Sequence, residues 1–220
     1  MTLLLALAGV YAAMMLVRYG RRGVLAVAPG LASSRALEPA PAPTDAQRAA
    51  AGELETLGFR RIGSRTEEGP LGGLGLRSEA WADAARAAYA DVFEHGPRPG
   101  APARVQLLTT FGDGAAVLTA NHGRRPRSGP GGEVEGLPGA PLAEVAAAHA
   151  RSVARLAAVH GAPVPAGDLA ARAAAARAWY RGAGGAELRS RFGVYLANAL
   201  FAAAVLAFCL VTIYRSSGSR

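Results

Sequence analysis

Residues 104–121 read RVQLLTTFGDGAAVLTAN, and the alternation within this stretch decides how the middle of the chain folds. Two runs, Arg104 to Gly112 and Ala115 to Asn121, are joined by Asp113-Gly114. That dipeptide suits a two-residue turn with positive φ at both central positions, so the stretch reads as a β-hairpin. The register follows: Gly112 faces Ala115, Phe111 faces Ala116 and Thr109 faces Leu118. One face then collects Leu107, Thr109, Phe111, Ala116, Leu118 and Ala120. The other collects Gln106, Leu108, Thr110, Val117, Thr119 and Asn121. The first face is the more apolar and is expected to meet the core, which half-buries the hairpin.

Upstream of the hairpin, Thr44 caps a helix, with Gln47 three residues on as its reciprocal partner. That helix runs to about Leu57, and Gly58 ends it. Three strands are expected next, at Phe59–Ser64, Leu71–Ser78 and Ala87–Phe93, with a helical turn around Trp81 between the last two. Downstream, residues 122–141 are rich in glycine, proline and arginine and lack periodicity, so they read as a mobile loop. Pro141 then opens a helix to about His160. Its apolar stripe is Leu142, Val145, His149, Val153, Leu156 and His160, with Glu144, Arg151 and Arg155 opposite. Asp168 caps a further alanine-rich helix to about Tyr180, and Gly182, Gly184 and Gly185 break it. The expected fold class is α+β: a small antiparallel sheet packed with helices.

Two uncharged stretches bracket this domain. Residues 2–17 read TLLLALAGVYAAMMLV and residues 192–214 read FGVYLANALFAAAVLAFCLVTIY. At ~1.5 Å per helical residue the second exceeds a ~30 Å hydrocarbon core, and the first falls slightly short of it. Met1 and Tyr19 extend the first toward the interface. No basic residue precedes the first stretch, whereas Arg18, Arg21 and Arg22 follow it. That is the reverse of a cleaved secretory signal, so the segment is expected to remain as an anchor, although Ala26-Val27-Ala28 mimics a cleavage site. The expected organisation is a membrane helix with its basic flank at 1–22 and a Pro/Ala-rich spacer at 23–43. A soluble domain follows at 44–181, then a second membrane helix with its tail at 182–220.

The 24 basic side chains are all arginine, and the formal charge is +8. Between residues 23 and 180, 16 arginines meet 15 acids. The excess therefore sits at the ends, in Arg18, Arg21, Arg22, Arg181, Arg189 and Arg191, with Arg215 and Arg220 alone on the far side. The positive-inside bias predicts a cytoplasmic domain in the inner membrane with both short termini outside. The basic balance is a topology signal, and no nucleic-acid partner is expected. Cys209 is the one cysteine, which excludes a disulfide-stapled scaffold. The absence of lysine excludes Schiff-base and P-loop lysine chemistry.

Candidate chemistry is sparse. His149 lies centrally on an apolar stripe and reads as a core or interface histidine bonded to a backbone carbonyl. His160 shares the stripe but lies ~16 Å away, too far to share one metal ion. His95 and His122 sit in turns. Asp113 is explained by its turn. Glu67-Glu68 and Glu133/Glu135 read as solvated loop acids. Gly69, Gly72, Gly73 and Gly75 lack the GK[ST] of a phosphate loop, and neither GxSxG nor HExxH occurs. Arg124, Arg125 and Arg127 form a weak anion- or partner-binding trio in the long loop. In the apolar ends, Ala199, Ala203 and Ala207 form a small-residue ridge beside Gly193 and Ala197. Ala8/Ala12 and Gly9/Ala13 do likewise, and ridges of this kind allow close helix packing in lipid. Asn198 is expected to face protein. No catalytic, cofactor-binding or metal-ligating residue is assigned, and no cofactor is expected.

The segment TTFGDGAAVLTAN at 109–121, with LETLGF at 54–59 and the helix carrying His149, resembles a pattern in uncharacterised bacterial membrane-anchored proteins, of the form T-x-F-x-D-G-x-x-L-x-T-x-N. The resemblance spans about residues 50–160. It implies the hairpin-plus-helix organisation and no activity. The alanine and arginine bias points to a GC-rich bacterial genome. The leading expectation is a two-span membrane protein whose small domain binds a protein partner or self-assembles through its membrane helices. The alternatives are a membrane-surface enzyme or small-ligand or lipid module with His149 or Asn121 in a pocket, and a component of a transport or envelope assembly that uses Asn198.

Overall fold

The computed structural model describes residues 2–29, 32–37, 42–68, 76–93 and 102–217. Its first element is a long helix, α1 (Thr2–Val27), followed by strand β1 (Ser33–Ala36) and helix α2 (Asp45–Thr56). The strands β2 (Arg60–Glu68), β3 (Leu76–Asp83), β4 (Ala88–Phe93), β5 (Val105–Thr110), β6 (Ala116–Ala120), β7 (Arg127–Gly129) and β8 (Gly132–Gly136) come next. Four helices close the chain: α3 (Leu142–His160), α4 (Leu169–Arg181), α5 (Ala183–Ser190) and α6 (Phe192–Ser217). The class is α+β, with one eight-stranded sheet in the order β1-β2-β3-β4-β5-β6-β8-β7. Every pairing is antiparallel except β6 with β8.

Local signals set the helices. Thr44 and Gln47 form the complete capping box on α2, and Gly58 takes φ +91° just beyond its end. The Asp168 side chain accepts from the Ala171 amide at the start of α4. On α3 the stripe Leu142, Val145, His149 and Leu156 is buried, as its spacing requires.

The hairpin forms, but its register differs from the expected one by a residue. Thr110 pairs with Ala116, Thr109 with Val117 and Leu108 with Leu118. The connection has three residues, closed by the Phe111 amide on the Ala115 carbonyl at 2.8 Å. Gly114 alone takes the left-handed conformation, at φ +90°, while Asp113 turns its Oδ1 onto the Ala115 amide at 3.0 Å. A two-residue turn would need positive φ at Asp113 as well. The slip re-sorts the faces, since the side-chain period is two. Leu108, Ala116, Leu118 and Ala120 meet one core, and Leu107, Thr109, Phe111, Val117 and Thr119 meet the other side. Both faces are covered. Helices α2 and α3 lie on one, and α4, α5 and the end of α1 lie on the other.

Four further expectations change. Residues 122–141 hold β7 and β8. The chain leaves β6, passes over one strand's width, descends as β7 and returns as β8 in the gap. Gly132 and Val134 are the buried residues of GEVEG, and Glu133 pairs with Arg155 of α3 at 2.6 Å. Glu133 and Glu135 are therefore strand residues, not loop acids. Trp81 is buried within β3, and the turn falls at Ala84–Ala87. The chain runs on through Gly184 and Gly185 as α5, broken from α4 only at Gly182. A Cβ on Gly184 would lie 2.2 Å from Trp179 Nε1, and one on Gly185 would lie 2.9 Å from Pro29, so these glycines permit close packing. Finally, α1 passes residue 22 without a break, Leu25 is buried in the core with Trp179, Tyr180 and Ala183, and Ala26 is buried too. Of the spacer, Gly30, Leu31 and Glu38 to Pro41 lie outside the described residues, as do residues 69–75, where the second expected strand begins.

Two helices among the described residues are long and apolar enough to cross a membrane, Leu3–Val27 and Phe192–Ser216. Apart from Leu76, Val159 and Val164, every exposed large apolar side chain described lies on α1 or α6. The two helices pack antiparallel. Gly9 lies against Cys209 and Leu206, while Ala12 and Tyr19 lie beside Ala202 and Asn198. The buried seam is Gly9, Ala12, Ala202 and Cys209. The expected Ala199/Ala203/Ala207 ridge lies off this seam, with Ala207 exposed.

Candidate functional site

Strand β4 reads AYADVF, and its one charge, Asp91, is fully buried. A lone buried carboxylate needs charged partners. Two arrive from distant elements. Arg65 of β2 donates Nε to Oδ1 and Nη2 to Oδ2, each at 2.9 Å, and Arg172 of α4 donates Nη2 to Oδ2. Gln106 of β5 adds Nε2 at 3.2 Å, so both oxygens of Asp91 are occupied. Arg65 also donates to Ser34 Oγ at 2.8 Å and pairs with Glu67 at 2.7 Å. The Tyr180 hydroxyl donates to Glu67 at 2.6 Å. Glu67 is thus buried inside a network rather than solvated. Glu68 pairs with Arg35 across β1 and β2.

The electrostatics follow from the pairing. Burial opposes the charge on Asp91, but Arg172 and Arg65 outweigh it and hold the carboxyl well below its usual range. Burial likewise opposes the charge on Arg65, and Asp91 and Glu67 more than compensate, so its guanidinium is held above its usual range. Burial, then the Glu67 charge, pushes the Tyr180 hydroxyl up and keeps it a donor. These three groups keep one protonation state across the neutral range. They hold and orient charge rather than exchange protons, since an acid–base catalyst needs a pKa near the working pH.

Beside the network lies a cavity of about 120 Å³, lined by Arg172, Trp179, Tyr180, Gln106 and Leu118 and rimmed by Arg124, Glu187 and Arg191. Arg124 donates Nη2 to Gln106 at 2.7 Å and Nη1 to Glu187 at 3.4 Å. Arg191 donates to the other Glu187 oxygen at 3.0 Å. The expected arginine trio therefore divides. Arg124 turns inward, Arg125 is exposed, and Arg127 begins β7. Position alone marks Arg172 in the sequence. It shares an inward stripe with Leu169, Ala176 and Trp179, at helical spacing.

His149 is buried on the opposite face of the sheet, between Thr109 and Thr119. Its Nε2 lies 3.0 Å from Thr109 Oγ1, and its Nδ1 lies 3.1 Å from Thr119 Oγ1. Thr109 spends its hydroxyl proton on the Ala87 carbonyl at 3.1 Å. Nε2–H must therefore donate to Thr109, and Nδ1 accepts from Thr119. The partners are threonine hydroxyls, not the expected backbone carbonyl. Burial pushes the ring down to about 3, so it is neutral. The relay ends on Ala87, the non-glycine residue with φ +52° in the β3–β4 turn.

Other singled-out residues have structural partners. The Asn121 amide bridges the chain at the start of β5, donating to the Ala103 carbonyl at 2.9 Å and accepting from the Val105 amide at 2.8 Å. It borders a larger cavity of about 580 Å³ under α2, with Asp45 and Glu53 at its wall, but its polar atoms are spent on the backbone. Asp113 bonds His160 at 2.6 Å, tying the hairpin tip to the end of α3. Burial, then Arg124 and Arg104, lowers half-buried His122 to about 4. His95 and Gly69, Gly72, Gly73 and Gly75 lie outside the described residues. Asn198 donates to the Val194 carbonyl of its own helix and faces a 170 Å³ groove with Tyr11, Tyr19 and Phe201. Among the described residues no group of three or more His, Cys, Asp or Glu is arranged to hold a metal. Compared with known proteins, the chain matches no family model, no curated protein and no solved structure, and its functional reading rests on this geometry.

Proposed function

We propose that this chain is a two-span protein of the inner membrane, with its α+β domain on the cytoplasmic face, where the domain acts as a binding module for a protein partner or a second copy of itself. The observation that carries the reading is the joint. Leu25 of α1 lies in one core with Trp179, Tyr180 and Ala183, and Ala26 beside it is buried, so α1 ends inside the domain. Retention of the first helix as an anchor fits the same joint, because removing it would open that core. The arginines at the domain ends of α1 and α6 support the cytoplasmic orientation. Protease treatment of spheroplasts tests it. The domain stays intact if the orientation holds, and digestion there overturns it. Extraction in mild detergent, with particle mass and mass spectrometry of co-eluting proteins, tests the binding role. A stoichiometric partner or a defined oligomer supports it, and a lone monomer overturns it.

A second reading, a small-ligand module, has its own observation. The cavity beside Arg172 is lined by donors whose partners do not account for all their N–H groups.

A further inference from the structure

We infer that the cavity between α4, α5 and the β2–β5 face is an oxyanion site that takes a phosphate group, free or carried on a lipid headgroup. The inference rests on the small-ligand reading and is independent of the partner reading. Arg172 lines the cavity with its side chain 1% exposed, and its Nε and Nη1 have no hydrogen-bond partner. Arg124 Nε, at the same cavity, is also buried and unpartnered. Buried N–H groups left unpaired on a charged side chain are costly, and an anion is the partner a guanidinium fits best.

The charge count agrees. Arg65, Arg124, Arg172 and Arg191 meet Glu67, Asp91 and Glu187, which leaves one positive charge uncompensated in the cluster. Glu67 and Glu187 also line the cavity, yet neither is free to repel a ligand at full strength. Glu67 is bonded by Arg65 and Tyr180, and Glu187 by Arg124 and Arg191. The volume, about 120 Å³, is well below the ~300 Å³ at which drug-sized pockets begin, so the site fits a single ion or headgroup phosphate and not a nucleotide. Its wall includes Gly184, Leu188 and Arg191, which lead directly into α6. In the proposed topology that wall is the membrane-proximal side, where headgroup phosphates lie.

The test uses the full chain in an uncharged detergent, with thermal unfolding followed while inorganic phosphate replaces chloride at constant ionic strength. A saturable rise in Tm is expected. Arg124→Gln, which keeps both arginine partners of Asp91, should weaken the apparent affinity roughly tenfold through loss of one charged donor. Arg155→Gln, paired with Glu133 away from the cavity, should leave it unchanged. A second arm places the protein in phosphatidylcholine nanodiscs with and without phosphatidic acid. A rise with phosphate assigns a free anion as sufficient. A rise only with phosphatidic acid, lost in Arg124→Gln, assigns the headgroup. No rise in either arm, or an equal rise in wild type and Arg124→Gln, overturns the site. Particle mass measured on the same samples reads the partner hypothesis separately.

Discussion

Protonation of His149 would place a charge in a fully buried site and a second N–H against Thr119, whose hydroxyl already points at the ring. The unfolded residue titrates near 6.5, while the folded ring is held at about 3. The unfolded chain therefore binds a proton that the fold refuses. This contribution to stability is whole above pH 6.5 and falls as the pH drops toward 3, by about 1.4 kcal/mol per pH unit. His122 adds in the same direction. Urea unfolding at pH 7.5, 6 and 5, followed by Trp81 and Trp179 fluorescence, should show the loss. His149→Gln should flatten its slope and cost about 1–3 kcal/mol at pH 7.5, because the threonines lose a fitted partner. An unchanged stability at pH 7.5 would contradict the relay. At Asp91 the expectation is larger. Asp91→Ala leaves Arg65 and Arg172 buried without their common carboxylate and should cost about 3–5 kcal/mol, read from the shift in the urea midpoint.

Strand β8 enters the sheet where backbone meets backbone. A Cβ on Gly132 would fall 1.9 Å from the Ala116 carbonyl oxygen, and the residue sits at φ +126°. Both facts forbid a side chain there. Gly132→Ala should open the parallel β6–β8 pairing and destabilise the domain by at least about 2 kcal/mol. Gly131→Ala, with open space around its added carbon, is the control and should change little. Faster hydrogen exchange across Gly132–Gly136 in the first variant alone would locate the damage. The same element scale explains the hairpin register. A left-handed residue is required at one turn position, and Gly114 supplies it.

The helix pair makes the prediction for the whole molecule. A Cβ at Gly9 would lie 3.6 Å from Cys209 Cβ, inside the range that a disulfide spans. Gly9→Cys should therefore cross-link to the native Cys209 under mild oxidation, without a dimer forming. The readout is faster migration on a non-reducing gel and loss of both thiols to maleimide. Ala8→Cys, one residue around the helix on an exposed face, should remain free. Cross-linking of Ala8→Cys in preference to Gly9→Cys would overturn the antiparallel seam. Because α1 is rooted in the core through Leu25, the cross-link should also raise the Tm of the domain.

Much of the architecture is local and was legible from the residues alone. The capping box at Thr44 and Gln47, the stop at Gly58, the Asp168 cap, the stripe of α3 and the two apolar helices each depend on neighbours within a few positions. The hairpin was legible as a hairpin, because alternation and Asp113-Gly114 mark it. Its register was not, because that depends on which residue takes the left-handed conformation. With both sheet faces buried, the apolar pattern does not select between neighbouring registers. The α5 helix was hidden because Gly184 and Gly185 read as breakers until Trp179 and Pro29 lie close enough to exclude a side chain. The candidate site was the least legible part. Asp91 and Arg172 are 81 residues apart, and each looks anomalous only among its own apolar neighbours. Periodicity determined which way each of them points. Only the packing of α4 on β2, β4 and β5 brought them together, since a buried charge is tolerable only where its opposite is delivered by another element.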